Sequence, residues 1–323
     1  MENTEKLLIK SYISDLLKNQ VSYFENQIEG LLYDGNIEYL HHTRVMVRRI
    51  RTTITTFSPY LGKKISKKWL SSLKNLTKLL TRVRDLDVQI QFLQDEISKV
   101  SEQRLLAGLL RLQLRKQQKR DKKQFDVRQA IINFEKQQTI FEIKEFIEKH
   151  PFDSENFKVP DKLHQIGSET IERLTKKCFS YVPFITDPIQ SEALHNLRIS
   201  LKNLRYSVEL FQPIYPTLDT HLSIFKKFQD DLGEIHDYDV WLDDLNQFLD
   251  DEKQKITEFY GQSGPFNFIK PGILFLIEDI KLRKSERHEK FLERWNDQFQ
   301  NQFWNNLKSV FDYLPPAEET KAA

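Results

Sequence analysis

The sequence predicts an all-α fold: two pseudo-symmetric helical bundles from an internal duplication, with a basic central groove. Three observations predict it. The 323 residues include only nine glycines, and several of the eleven prolines (Pro59, Pro151, Pro160, Pro213, Pro216) fall between helical patterns. Abundant Lys, Glu, Leu and Gln favour helices over sheet. Segment 41–57 (HHTRVMVRRIRTTITTF) aligns without gaps to segment 195–211 (HNLRISLKNLRYSVELF) at an offset of 154. Each copy is followed by a second matching stretch, 69–88 and 221–240, at an offset of 152.

Taken in order, periodicity places an opening helix at 6–32, then the motif helix 41–57 and the stretch 69–88. Helices at 85–100, 102–124 and 127–150 complete the first half. The prolines of 150–160 mark the junction between halves. The second half repeats the order with 161–181, 195–211, 221–240 and 237–252, a loop around Gly261, Gly264, Pro265 and Pro271, and a helix at 272–314. One domain is therefore expected over 1–314, with repeats 1–150 and 160–314 and a flexible C-terminal tail at 315–323. Two repeats of this length are too few for a solenoid, so a pseudo-two-fold pair of bundles is expected.

The net charge of +2 averages opposed blocks. From Tyr39 to Arg84 there are twelve Lys or Arg and no acid, whereas Phe228 to Glu252 holds ten acids and no Lys or Arg. Charges more than about 8 Å apart are screened at physiological salt, so an anion meets the local block and not the average.

The basic block is ordered. At roughly 100° per residue, positions 0, 3, 7 and 10 fall within an arc of about 80°. His41, Arg44, Arg48 and Arg51 thus form one stripe, and Val47, Ile50, Ile54 and Phe57 form an apolar face beside it. The second copy repeats both, with His195, Arg198, Lys202 and Arg205 against Leu201, Leu204, Val208 and Phe211. Four aligned cations repel one another unless an anion compensates. Arginine suits phosphate because its planar fork reaches two oxygens, lysine adds a compact charge, and histidine donates hydrogen bonds. Such a ladder suits a linear polyanion.

These residues resemble the CHAD family, named for a histidine-bearing α-helical domain. Its H-x-x-R-[apolar]-x-x-[RK]-x-[apolar]-R signature appears at His41–Arg51 and again at His195–Arg205, the latter followed by Tyr206. Its L-x-x-x-[RH]-D element appears as Leu80–Asp85 and Leu232–Asp237. The resemblance covers nearly the whole chain. It implies two helical bundles about a pseudo-dyad and a basic groove that binds inorganic polyphosphate. The binding role carries onto both stripes and onto Lys74 and Lys226. Arg111, Arg115, Lys119, Lys281, Arg283 and Arg287 on the late helices are candidate extensions of the groove. Asn203 departs from the pattern opposite Arg49, and Gly233, expected to end a helix, stands opposite Thr81.

Other functions find less support. The E-x-E-x-K strand of a triphosphate-tunnel hydrolase, the P-loop, the nucleophile elbow, H-E-x-x-H and the dinucleotide fingerprint are all missing. The expectation is a binding protein without catalytic residues, cofactor or metal. Asp85/Asp87 and Asp237/Asp239 are expected at helix junctions, capping helices or pairing with arginines. Nucleic acid is expected only as a weaker competing polyanion, because the stripe lacks aromatic platforms for unstacked bases. An accessory role beside a phosphate-processing enzyme is the other alternative. The longest purely apolar stretch, Ile273 to Ile277, is too short to span a bilayer, and Met1 to Lys10 lacks an apolar signal core. With the lone Cys178, these features lead to an expected cytoplasmic location and no membrane partner.

Overall fold

The computed structural model describes residues 2–33 and 37–312, so the predicted tail at 315–323 lies outside the described residues. Those residues form eleven α-helices and no strand. They are α1 (Glu2–Tyr33), α2 (Ile37–Thr56), α3 (Ser58–Leu61), α4 (Lys63–Lys99), α5 (Gln103–Lys136), α6 (Thr139–Lys149), α7 (Asp161–Phe179), α8 (Ser191–Glu209), α9 (Leu218–Tyr260), α10 (Lys270–Gln300) and α11 (Phe303–Asp312).

The motif helices α2 and α8 bury the face their spacing predicts. Val47, Ile50, Ile54 and Phe57 are fully buried, as are Leu201, Leu204, Val208 and Phe211. α2 packs on α1, α4 and α8, while α8 packs on α7, α9 and α2. The ends of the two motif helices meet at their paired phenylalanines, Phe57 and Phe211, whose ring centroids lie 6.1 Å apart.

Several helices run further than the periodicity suggests. Asp85 and Asp87 lie inside α4, and Gly233, Asp237 and Asp239 lie inside α9. They cap nothing. Instead, α4 and α9 pass from one apolar core to another, and the polar residues fill the gap. The larger core takes Leu73, Leu76, Leu80 and Val83 from α4 and Phe225, Phe228, Leu232 and Ile235 from α9. A distal four-helix core takes Leu93 from α4, Leu109 and Leu112 from α5, Trp241, Leu245 and Phe248 from α9, and Ile273 to Ile280 from α10. Both cores draw on both halves of the chain. In the intervening waist Asp87 pairs with Arg120 at 2.5 Å and Asp239 with Lys284 at 2.5 Å.

Two predicted boundaries shift. α5 continues through the expected break near residue 125 and ends at Lys136, capped by Gln137, just before Gln138 takes a left-handed φ of 54°. The expected helix 272–314 divides into α10 and α11 at Gln302, also left-handed with φ 54°. That turn lets Phe303 and Trp304 fold back onto Phe225, Phe228 and Trp295. The junction at 150–160 is not a free linker. Phe152, Phe157 and Val159 pack on the larger core, and Ser11 Oγ donates to the Pro151 carbonyl at 2.7 Å.

Candidate functional site

α2 and α8 face each other along their basic sides. Arg44 lies close enough to Arg48, Arg84 and Arg198 to feel their charges, and Lys202 feels Arg48, Arg198 and Arg44. The two stripes therefore lie close together, with the cations of one helix near those of the other. Among the described residues, Arg44, Arg48, Arg51, Arg198 and Lys202 form no ion pair. The Nε atoms of Arg44, Arg51 and Arg198 are buried and donate to no protein acceptor.

The electrostatics follow from this crowding. Burial and then its cationic neighbours push the Lys202 ammonium down to about 7, against slight support from Asp237. Arg44 and Arg198 are lowered first by desolvation, with Asp85 and Asp237 opposing. Asp85 and Asp237 are open to solvent, yet surrounding protein raises both carboxyls above the usual range, and the arginines pull them back. Groups both accessible and desolvated are expected in a recess. Asp85 is sensed by Arg44 and Arg198 alike, so the acid of one repeat reaches the arginine of the other.

Aromatic and imidazole groups frame the arginines. The guanidiniums of Arg48 and Arg205 each stand 5.7 Å from the centroid of the buried Tyr206 ring, one from each motif helix. His195 and His236 bring their Nδ1 atoms to 3.1 Å. Burial, Arg198 and His195 push His236 down to about 4, while burial, Arg198 and Lys202 lower His195. In the first repeat His41 is exposed at the end of its stripe and is lowered by burial and by Arg84, the residue that aligns with His236.

The remaining predicted residues divide. Arg205 is held by Gln229 at 2.9 Å and by Glu209 at 3.1 Å, the latter contact lying off the line of a hydrogen bond. Glu209 also takes Arg49 Nε at 3.1 Å, which ties α2 to α8 outside the stripe. Lys74 and Lys226 are exposed on α4 and α9.

Four of the proposed groove extensions have carboxylate partners within the fold. Arg111 and Arg115 both bind Glu252, which is 1% exposed, at 2.6 and 2.9 Å. Arg283 makes a two-pronged bond to Glu96 at 2.8 Å on each prong. Arg287 reaches Asp231 at 3.2 Å and also binds Glu234. A buried carboxylate must be compensated, so these arginines are engaged within the fold. Lys281 pairs with Glu278 of its own helix at 2.8 Å, and Lys119 is exposed on α5.

Lys67 and Lys78, which the motif did not single out, are exposed and share a face of α4 with Lys74 and Asp85. Spacings of four, seven and eleven residues gave the signal. No group of three or more His, Cys, Asp or Glu suited to a metal ion occurs among the described residues.

Comparison with known proteins agrees with this architecture. The chain is similar to the crystal structure of the CHAD domain from the plant Ricinus communis, with TM-score 0.61 and 16% identity over 95% of this chain and 92% of that one. It is also similar to PptA from Streptomyces chartreusis, with TM-score 0.65 and 15% identity over 89% of this chain and 99% of that one. No curated protein sequence gives a significant match. The family model of the CHAD domain matches residues 15–246, which takes in both motif helices and most of α9. This chain belongs to the CHAD domain family, a family associated with polyphosphate-related proteins.

Proposed function

We propose that the protein binds inorganic polyphosphate in the cleft between α2 and α8, and that it acts by binding and not by catalysis. One observation carries the reading: Arg44, Arg48, Arg198 and Lys202 converge there without an ion-pair partner among the described residues. Unpaired, desolvated cations destabilise an empty site, and a chain of phosphates offers each a charge-assisted bond in return. The linear spread over two helices fits a polymeric anion better than a single phosphate. Nucleic acid shares the phosphate attraction, but Tyr206 is buried between two arginines and offers no face to a base.

No helix among the described residues is long and apolar enough to cross a membrane. The lone cysteine, Cys178, is buried and its thiol is pushed up to about 12 by desolvation, which suits a structural residue in a reducing compartment such as the cytoplasm.

The test is a binding titration with long-chain polyphosphate, tripolyphosphate, monophosphate and single-stranded DNA at several salt concentrations. Long-chain polyphosphate is expected to bind tightest, with affinity falling linearly in log salt. Equal affinity for DNA at matched phosphate concentration would refute polyphosphate specificity, and equal affinity for monophosphate would refute the linear array.

A further inference from the structure

The cleft is built from a repeated motif, but the two tracks leading out of it carry opposite charge. On α4, Lys67, Lys74 and Lys78 fall with Asp85 within an arc of about 40°, and the row spans about 27 Å at 1.5 Å per residue. All three lysines are exposed, and none forms an ion pair among the described residues. The aligned positions on α9 are Asp219, Lys226 and Asp230, so two of the three charges are reversed. These residues are exposed as well.

The motif helices differ in the same sense. α2 turns back into α4 at Gly62, so the antiparallel register that sets Arg44 near Asp85 brings Arg51 level with Lys78. By the same register, Arg198 near Asp237 brings Arg205 level with Asp230. Arg205 is engaged by Gln229 and Glu209, whereas Arg51 is crowded by Arg48 and forms no ion pair among the described residues. The α2/α4 end of the cleft therefore accumulates positive charge, and the α8/α9 end is neutralised.

We propose that a polyphosphate chain longer than the cleft leaves it in one direction only, along the Lys78–Lys74–Lys67 row of α4, while Asp230 and Asp219 repel it from α9. This deepens the polyphosphate reading and rests on it. The central cations fix a short segment, and the α4 row confers preference for longer chains. Linear polyphosphate reads the same from either end, so the one-sided track selects chain length and not strand polarity.

The experiment compares tripolyphosphate with long-chain polyphosphate on the wild type, Arg48→Ala, Lys67→Ala/Lys78→Ala and Asp230→Lys, with helicity checked by circular dichroism. The lysine double variant is expected to lose several-fold to about tenfold in long-chain affinity, with a shallower salt dependence, and to keep its tripolyphosphate affinity. Asp230→Lys is expected to tighten long-chain binding. If the wild type binds and Arg48→Ala does not, but the double variant matches wild type or loses both ligands equally, the one-sided track is overturned and the cleft reading stands. A gain of nothing from Asp230→Lys overturns it too. A wild type that binds neither ligand overturns both.

Discussion

His195 and His236 hold their Nδ1 atoms 3.1 Å apart, so one nitrogen donates and the other accepts. That contact is lost when both imidazoles are protonated at Nδ1. Both are lowered from the ordinary imidazole value, His236 to about 4, by burial and by Arg198. As pH falls below the unfolded value of about 6.5, the unfolded chain takes up protons that the folded state refuses until near 4. The free protein should therefore lose stability across that window. A bound polyanion supports the charged imidazoles and should flatten the loss. Thermal melts from pH 7 to 4, with and without long-chain polyphosphate, check this. Parallel slopes in the two series would dissociate the histidines from the anion.

Lys202 places function and stability in opposition. Its ammonium sits among Arg48, Arg198 and Arg44 and is pushed down to about 7. Lys202→Met removes a poorly compensated charge while keeping the aliphatic stem, and it should raise the free protein's stability by about 1–3 kcal/mol. The same change should weaken polyphosphate binding. In the wild type, anion binding should raise the amine's pKa and draw in a proton, so affinity should decline as pH rises from 7 towards 10. Calorimetry in buffers of different ionisation enthalpy reads that uptake, and a Lys202→Met variant with wild-type proton uptake would exclude this amine as its source.

Much of the fold was legible because its signals are local. Val47, Ile50, Ile54 and Phe57 share one face by spacing alone, and all are fully buried. The charged stripe was legible for the same reason. What sequence reasoning missed depends on long-range partners. Arg111 meets Glu252 from 141 positions away and Arg283 meets Glu96 from 187, so the charge pattern could not separate engaged arginines from free ones. Asp85 and Asp237 suggested helix starts because an acid after a hydrophobic run resembles a cap. Their real setting, a polar waist between two apolar cores on one continuous helix, depends on what packs from elsewhere.

The distal core depends on a close helix crossing. A Cβ at Gly108 would stand 2.2 Å from the Ile269 carbonyl oxygen, and one at Gly272 would stand 2.0 Å from that of Leu105. Neither backbone oxygen can turn aside as a side chain can. Gly108→Ala or Gly272→Ala should force α5 and α10 apart and destabilise by a net of about 1–3 kcal/mol, despite the roughly 1 kcal/mol by which Ala usually favours a helix over Gly. Because this crossing lies beyond the waist, polyphosphate affinity at low temperature should change little. Chemical denaturation alongside a binding titration checks both halves of the expectation.

Arg48 and Arg49 are neighbours in sequence with different tasks, and together they test whether geometry or total charge governs binding. Arg48 stands among Arg44, Arg198 and Lys202, rests its guanidinium 5.7 Å from the Tyr206 centroid, and has no ion-pair partner among the described residues. Arg49 turns away to Glu209 at 3.1 Å, which also contacts Arg205. Arg48→Ala should therefore remove a charge-assisted contact worth about 1–3 kcal/mol, a loss of roughly five- to 150-fold in affinity. The Arg49 side chain is 39% exposed, so Arg49→Ala should lower stability by no more than about 1 kcal/mol. It also leaves Glu209 to Arg205 alone, so its effect on affinity should stay within about threefold, an allowance of roughly 0.6 kcal/mol. Both variants lose one positive charge and should show the same shift in net charge. Affinities measured at two salt concentrations, with circular dichroism to verify folding, separate the cases. Equal losses for the two variants would mean that diffuse charge, and not the stripe, holds the anion.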